Sequence, residues 1–186
     1  MFNDAFCLTQ AVLSGTKIMT RRLLRDNVPL GNWEETVKHL PYKVGDIVAI
    51  AQPYKDIIEC MAEYSDIIIN VDGSINREYK AGWTNKMFVR ADLLPHHIRI
   101  TDVKVEYLQD ISDDEILREG ITSQRFFNKV EYVFATKGKM NNTPVHRLKT
   151  FPTSCEAFAD LIDKISGKGT WDSNSWVVAY SFELID

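Results

Sequence analysis

Residues 174–185 read NSWVVAYSFELI, and this stretch decides the fold class because it contains the most regular alternation in the chain. Apolar and aromatic side chains recur there at every second position, the period that places side chains on one face of a β-strand. The recurring residues are Trp176, Val178, Tyr180, Phe182 and Leu184. The stretch therefore predicts a strand with one apolar face against the core.

The same alternation, together with turn signals, predicts further short strands upstream. They are KIMTRRLL (17–24), VGDIVAI (44–50), KMFVRAD (86–92), HIRITDVKVEYL (97–108) and EYVFAT (131–136). A slip in the alternation near Asp102 indicates a bulge. Residues 56–80 are predicted to form a hairpin around the Asp72-Gly73 turn, and residues 137–150 an exposed loop.

Helix boundaries are predicted from capping residues. The predicted amino-terminal caps are Thr9, Asn32, Ser112 and Thr153, the last two in capping boxes with Glu115 and Glu156, and the predicted ends are Gly15, Gly120 and Gly167. Strands outnumber helices and do not alternate with them as in βαβ units. The prediction is an α+β fold, a small β-barrel or curled sheet with a few helices packed on it.

The length, charge and composition of the chain limit the classes of function that it is compatible with. The chain has 186 residues, enough for one domain with a sizeable core, and a formal net charge of −4. An acidic protein does not coat nucleic acid through its whole surface, so a polyanionic partner would have to meet a local basic patch. No apolar run reaches the length of a membrane helix, and the first residues lack a signal-peptide pattern.

The cysteines and histidines predict neither disulfides nor a metal site. Cys7, Cys60 and Cys155 are far apart and odd in number, which is typical of reduced thiols in a cytoplasmic protein. His96 and His97 are adjacent, so a strand would point them to opposite faces, and His39 and His146 are isolated. No metal and no cofactor are expected.

The stretch SGTKIMTRRLLR (14–25) concentrates positive charge on this acidic chain. A lysine next to a hydroxyl can serve as the base for a nucleophile when burial lowers its pKa, so Lys17 and Thr20 are candidates for that chemistry. Alternatively, Lys17 neutralises the end of the preceding helix while Arg21 and Arg22 are solvated, and spacing alone favours this reading. Glu119 occupies the last turn of a predicted helix, where an acid is disfavoured unless it has a partner or another role.

Three tryptophans lie among polar residues, namely Trp83, Trp171 and Trp176. Such aromatic side chains stack on a nucleobase while polar neighbours contact its edge, or they close the end of a small barrel. The sequence leaves these alternatives open.

Four stretches, in order along the chain, resemble the ASCH domain family, with the closest likeness to its phage and prophage members. They are GTKIMTRRL (15–23), YKVGDIVAI (42–50), LREGI (117–121) and WDSNSWVVAYSFELI (171–185). The resemblance implies a single PUA-like domain over residues 1–186, a small barrel with a cleft beside it, in a superfamily associated with RNA and modified nucleosides. Residues near 26–40, 56–80 and 122–150 would be variable insertions.

The resemblance also implies a catalytic set. One branch of the family hydrolyses the acetyl amide on the exocyclic amine of acetylated cytidine with a lysine, a threonine and a glutamate, which fall on Lys17, Thr20 and Glu119. The chain departs from that pattern at Ile18, where the family has a threonine, and at Gln52, where related phage members carry a carboxylate.

Three functions follow as hypotheses. The first is recognition of RNA or a modified nucleoside in the cleft, and the second is hydrolysis of an acyl amide on cytidine. The third is a phage-type, non-enzymatic protein-interaction module. The residues expected to bind a ligand are Arg21, Arg22, Gln52, Trp83, Arg90, Arg99 and Trp171.

Overall fold

The computed structural model describes residues 1–59, 62–140 and 143–186, and within them the chain forms seven β-strands and seven α-helices. The strands are β1 (Met19–Leu23), β2 (Ile47–Ala49), β3 (His97–Tyr107), β4 (Thr122–Phe126), β5 (Lys129–Met140), β6 (Thr143–Phe151) and β7 (Trp176–Leu184). The helices are α1 (Leu8–Leu13), α2 (Trp33–His39), α3 (Tyr54–Ile58), α4 (Ala62–Ile68), α5 (Asp113–Arg118), α6 (Ser154–Ser166) and α7 (Thr170–Ser173).

The strands form two sheets. One has four strands in the order β1-β7-β3-β2, and the other has three in the order β4-β5-β6. Strand β1 is antiparallel to β7, with Thr20 opposite Tyr180 and Arg22 opposite Val178. This arrangement confirms the predicted α+β class, in which a small curled sheet is combined with helices.

Strand β7 differs from its prediction in one respect. Side chains on both of its faces are buried from Val177 to Phe182, whereas alternation predicted a single buried face. The small side chains of Ala179 and Ser181 occupy the face that was expected to be exposed. A strand that is buried on both faces is typical of the centre of a sheet, and β7 lies between β1 and β3.

The pattern of contacts between residues divides the chain into two compact units. The larger comprises residues 3–46 and 99–184, and the smaller comprises residues 1–2, 47–98 and 185–186. The smaller unit has its own apolar cluster, which consists of Tyr54, Ile57, Ile68, Tyr79, Leu93 and Leu94.

Capping residues set most helix boundaries as predicted. Asn32 accepts a hydrogen bond from the Glu34 amide, and Thr153 accepts one from the Glu156 amide. Ser112 forms both halves of a capping box with Glu115. These interactions are local, so the sequence alone was sufficient to locate them.

The amino-terminal helix begins differently. Thr9 was predicted to cap it, but α1 starts at Leu8 and its N-cap is Cys7, which has a left-handed backbone with φ 54°. A short 3-10 helix, Asp4–Phe6, precedes it, and the Thr9 hydroxyl donates to the Asp4 carboxylate at 2.5 Å. The prediction was wrong because this preceding turn brings the chain into the helix two residues earlier, with the N-cap at Cys7 and not at Thr9.

Two strand predictions in the smaller unit are also wrong. Residues 56–80 contain α3 and α4 instead of a hairpin, although Gly73 does form a turn with φ 79° and Ile69 bridges Ile75. Tyr54 and Ile57 lie three residues apart on the buried face of α3, a helical spacing. The predicted strand 86–92 consists of 3-10 turns, Lys86–Phe88 and Ala91–Leu93.

Residues 137–140 and 143–150 are not a loop. They continue β5 and form β6, which pair from Tyr132 opposite Phe151 to Met140 opposite Thr143. Residues 141 and 142 of the predicted loop lie outside the described residues. Charged and polar residues in this segment lowered its apparent strand character. Ladder hydrogen bonds to an adjacent strand compensate for that weak local propensity.

Candidate functional site

The sequence-predicted residues Lys17 and Glu119 are 102 positions apart and meet inside the larger unit. The Lys17 ammonium donates to Glu119 Oε2 at 2.5 Å and to the Glu119 backbone carbonyl at 2.7 Å. Both side chains are buried, with exposures of 3% and 4%. Lys17 reaches this position because the chain turns at Gly15, φ 72°, before β1 begins.

Glu119 is held by the end of α5. It is the C-cap residue of that helix, and Gly120 follows with φ 98°. The last carbonyls of a helix lack intrahelical partners and form the negative end of its dipole. Lys17 supplies both a donor and a positive charge at this point. Its ammonium therefore contacts the end of α5, while its backbone amide donates to the Ala11 carbonyl in the last turn of α1 at 2.9 Å.

Arg21 connects this pair to further carboxylates. Its guanidinium is fully buried and contacts Glu106 at 2.6 Å, Glu115 at 2.7 Å and Glu119 at 3.2 Å. Lys104 in turn contacts Glu106 at 2.7 Å and Glu115 at 2.5 Å. Three cations and three carboxylates thus form one network, which we call the charged cluster: Lys17, Arg21, Lys104, Glu106, Glu115 and Glu119.

Exposure increases across the charged cluster. Lys17, Arg21 and Glu119 are buried, Glu106 and Glu115 have side-chain exposures of 13% and 16%, and Lys104 reaches 36%. The cluster is therefore buried at Lys17 and meets solvent at Lys104.

Burial changes the protonation equilibria within the cluster. Desolvation lowers the pKa of Lys17 and outweighs the opposing effect of Glu119, and the nearby charges of Arg21 and Arg22 lower it further. Burial alone would raise the pKa of Glu115, but hydrogen bonds from Lys104 and the Ser112 amide, with the Arg21 charge, lower it overall. The cluster therefore favours an ionised Glu115 and weakens proton binding by Lys17.

Thr20 lies on the other face of β1. Successive residues of a strand point to opposite faces, so Thr20 and Arg21 diverge. Thr20 is half-buried and lies opposite Tyr180 on the neighbouring strand, so these two side chains share a face. Among the described residues, the hydrogen-bond partners of the Lys17 ammonium are the two Glu119 oxygens.

Tyr180 is a polar residue that sequence reasoning assigned only to the core. Its side chain is buried, and its hydroxyl has no hydrogen-bond partner among the described residues. The Tyr180 ring packs edge-to-face against Tyr42 with centroids 5.6 Å apart. Burial raises the pKa of the Tyr180 hydroxyl. The Tyr42 backbone lies close enough to oppose this increase, but it does not form a hydrogen bond with the hydroxyl.

Three other nominated residues lie in the larger unit, apart from the charged cluster. Arg22 is exposed on β1, and Arg99 forms a surface ion pair with Glu183 at 3.0 Å. Trp171 packs edge-to-face against Phe158, with centroids 6.1 Å apart, and its amide donates to Asp163. Through these contacts, Trp171 contributes to the packing of α7 against α6.

The remaining nominated residues, Gln52, Trp83 and Arg90, lie in the smaller unit. Trp83 is half-buried and packs against the apolar cluster there. Arg90 forms ion pairs with Glu78 and Asp92 and lies over the Tyr79 ring. Gln52 Oε1 is buried and, within the described part of the chain, has no hydrogen-bond partner.

The described residues contain no group of three His, Cys, Asp or Glu side chains arranged to hold a metal ion. Cys7 and Cys155 are free thiols, and Cys60 lies outside the described residues. His97 pairs with Asp186 at 2.7 Å. Among the described helices, none combines the length and apolarity that crossing a membrane requires.

Sequence reasoning missed three members of the charged cluster. Glu115 was identified only as a capping residue, and its carboxylate in fact accepts from Ser112, Arg21 and Lys104. Lys104 and Glu106 are two apart on β3 and therefore share a face, which was the available signal. That signal could not identify Arg21 as their partner, because pairing across 85 residues depends on the tertiary fold.

Comparisons with models of protein families, with characterised proteins and with solved structures returned no match for this chain.

Proposed function

We propose that this protein recognises a nucleoside, free or within a short RNA, at the charged cluster. The observation that carries the proposal is the buried contact of Lys17 and Arg21 with Glu119. Buried ion pairs contribute little net stability because desolvation offsets their attraction, so stability alone is a weak reason for such a cluster. Buried, perturbed charges are a common feature of functional sites.

The chemistry of the cluster suits a nucleobase edge. A carboxylate accepts hydrogen bonds from an exocyclic amine, as acidic side chains do with cytosine, while Lys and Arg donate to carbonyl oxygens. Glu119 has acceptor capacity beyond its contacts with Lys17 and Arg21, since two carboxylate oxygens offer about four acceptor sites.

The free thiols of Cys7 and Cys155 support the expectation of a reducing, cytoplasmic compartment.

Calorimetric titration with cytidine, acetylated cytidine and uridine tests the proposal. We expect binding of a cytidine to the wild-type protein and a loss of at least about tenfold in Glu119→Gln, which is about 1.4 kcal/mol. Glu183→Gln is the matched control, because it removes a carboxylate from a surface ion pair. Circular dichroism establishes that both variants are folded. Absence of binding of all three nucleosides to the wild-type protein contradicts the proposal.

A second candidate is hydrolysis of an acylated exocyclic amine, which the lowered pKa of Lys17 beside Glu119 favours. Thr20 Oγ would attack the acyl carbonyl and transfer its proton to Lys17. The C–N bond would then break, the amine would leave with a proton, and water would release the acyl group from Thr20. This mechanism requires Thr20 and Lys17 to approach each other on substrate binding.

Incubation with acetylated cytidine and chromatographic detection of cytidine and acetate test this candidate. Hydrolysis by the wild-type protein that is abolished in Thr20→Val and Lys17→Met supports it. Binding without product formation leaves recognition as the function and excludes this hydrolysis. Thr122→Val is the control for Thr20→Val, because it makes the same change at another half-buried threonine of a strand, on β4.

A further inference from the structure

The three-stranded sheet of β4, β5 and β6 is strongly basic on an acidic protein. We call residues 122–151 the basic sheet. It carries six Lys and Arg residues against one acidic residue, Glu131, whereas the rest of the chain has 16 basic and 25 acidic residues. The basic residues are Arg125, Lys129, Lys137, Lys139, Arg147 and Lys149. The overall charge of −4 therefore conceals a basic segment. Lys129, Lys137 and Lys139 lie on one face of the sheet, and Arg125, Arg147 and Lys149 lie on the other, because they are opposite Val130, Thr136 and Phe134 of β5.

Most of this charge is not neutralised by neighbouring carboxylates. In the described parts of the basic sheet, Lys149 pairs with Asp160 at 2.7 Å, and the other five cations form no ion pair with a carboxylate. All six are exposed. Arg147 lies over Gly138, where a Cβ would come within 3.5 Å of its Nε, and it donates to the Lys139 carbonyl at 3.3 Å. These contacts hold one guanidinium on the surface of the sheet.

Two aromatic side chains project at the turn between β4 and β5. Phe126 is 63% exposed and Phe127 is 88% exposed, and their rings pack edge-to-face. Phe127 has φ 52°, a left-handed conformation that a bulky residue rarely adopts and that glycine normally supplies in two-residue hairpin turns. The most exposed phenylalanine is thus held in an unfavourable backbone conformation between Arg125 and Lys129.

A groove lies on the same sheet. Its volume is about 400 Å³, within the range of roughly 300–1,000 Å³ typical of small-ligand sites. Lys129, Val130, Glu131, Thr150, Phe151 and Pro152 line it. It therefore combines an aromatic wall, a cation and a carboxylate, which are the groups that stack on a base and contact its polar edge.

We propose that the face of the basic sheet that carries Lys129, Lys137 and Lys139 binds single-stranded nucleic acid, with phosphates at these cations and bases against Phe127 and the groove. This surface is separate from the charged cluster and does not depend on the function proposed there. The distribution of charge suits an extended strand. Lys129 lies at one end of β5, and Lys137 and Lys139 lie towards the other end of a strand that spans about 40 Å.

Fluorescence anisotropy with a labelled oligouridylate and the matching oligodeoxythymidylate, each about 12 nucleotides long, tests the proposal. We expect binding that weakens as salt rises, with a logarithmic slope of about −0.7 for each phosphate contact. Lys137→Gln/Lys139→Gln should make that slope shallower by about 1.4. Lys43→Gln/Lys168→Gln changes the net charge equally at exposed lysines elsewhere and should leave the slope unchanged.

Phe127→Gly tests stacking without threatening the fold, because glycine suits the left-handed position. We expect roughly five- to a hundredfold weaker binding with an unchanged or higher unfolding temperature. A comparison of the two oligonucleotides shows whether RNA or DNA is preferred. Neither basic-sheet variant should change the binding of uncharged nucleosides, so failure here is distinguishable from failure of the charged-cluster proposal.

Two results overturn the proposal. One is binding to vesicles containing anionic lipid, without measurable binding to either oligonucleotide. The other is equal affinity for oligonucleotide and dextran sulfate with no effect of Phe127→Gly, which would reduce the surface to a non-specific polyanion contact.

Discussion

Lys17 and Glu119 are joined twice, because the Lys17 ammonium contacts both the carboxylate, at 2.5 Å, and the backbone carbonyl of the same residue, at 2.7 Å. The first contact is an ion pair, and the second satisfies the carboxyl end of α5. One side chain therefore fixes both the charge and the position of Glu119. This double contact makes the cost of removing either partner predictable.

Removal of one member of the pair should destabilise the protein more than removal of both. Lys17→Met leaves Glu119 buried without its closest cation, and we expect a loss of about 3–5 kcal/mol in the free energy of unfolding. In Lys17→Met/Glu119→Leu no unpaired charge remains at these positions, so less than half of that loss should persist. Urea denaturation measures both values. A double-variant loss equal to the sum of the two single losses would show that the residues are not coupled.

Replacement of Gly120 should lower the stability of the protein in two ways, through backbone strain and through packing against Lys17. A matched control variant distinguishes the two contributions. The Gly120 φ of 98° is unfavourable for other residues, and a Cβ there would lie 3.3 Å from Lys17 Cβ. We expect Gly120→Ala to lower the free energy of unfolding by about 1–2 kcal/mol from the backbone alone, plus a packing contribution. Gly31→Ala has a similar φ, 96°, with no atom within 4 Å of the added Cβ. Equal losses in the two variants would show that Lys17 accommodates the methyl group.

The capping box of α5 should support the charged cluster from a distance. Ser112 accepts from the Glu115 amide, and its own amide donates to the Glu115 carboxylate, which also contacts Arg21. We expect Ser112→Ala to cost about 1 kcal/mol of stability in thermal or urea unfolding. Ser112→Asp retains a capping oxygen and should remain close to wild type. A loss of the same size in Ser123→Ala, at an exposed position of β4, would argue against a capping effect.

Acid should remove the contribution of Asp163 to stability. Its carboxylate accepts from the Trp171 amide at 2.8 Å and the Gly169 amide at 2.9 Å, and these hydrogen bonds lower its pKa in the folded state. A lowered folded-state pKa means that the stabilisation is complete above the unfolded value of about 3.9 and is lost as pH falls through the folded value.

Unfolding of wild type and Asp163→Asn, compared between about pH 6 and pH 2, measures this effect. The difference in stability should be constant above about pH 5 and should decrease below about pH 4. Asp172→Asn, an exposed carboxylate in α7, should show no such trend. A difference that does not vary with pH would indicate that the two amide hydrogen bonds do not depend on the charge.

Local features of this protein were determined by the sequence itself. The caps at Asn32, Ser112 and Thr153 and the left-handed glycines at positions 15 and 120 depend on interactions among residues a few positions apart. The alternation that predicts β7 is likewise local. Such patterns determine the α+β class, because the periods of 2.0 and 3.6 residues require no knowledge of distant partners.

Only the tertiary structure decided which distant groups meet. Residues 54–58 and 62–68 are helices and not a hairpin, and residues 137–140 and 143–151 pair as strands despite weak local propensity. Arg21, which the sequence left either solvated or in contact with a ligand, is fully buried among three carboxylates. The physical reason is that ion pairing and sheet pairing depend on proximity in space. Residues 17 and 119 come together only after the turn before β1 and the end of α5 have been positioned by the fold.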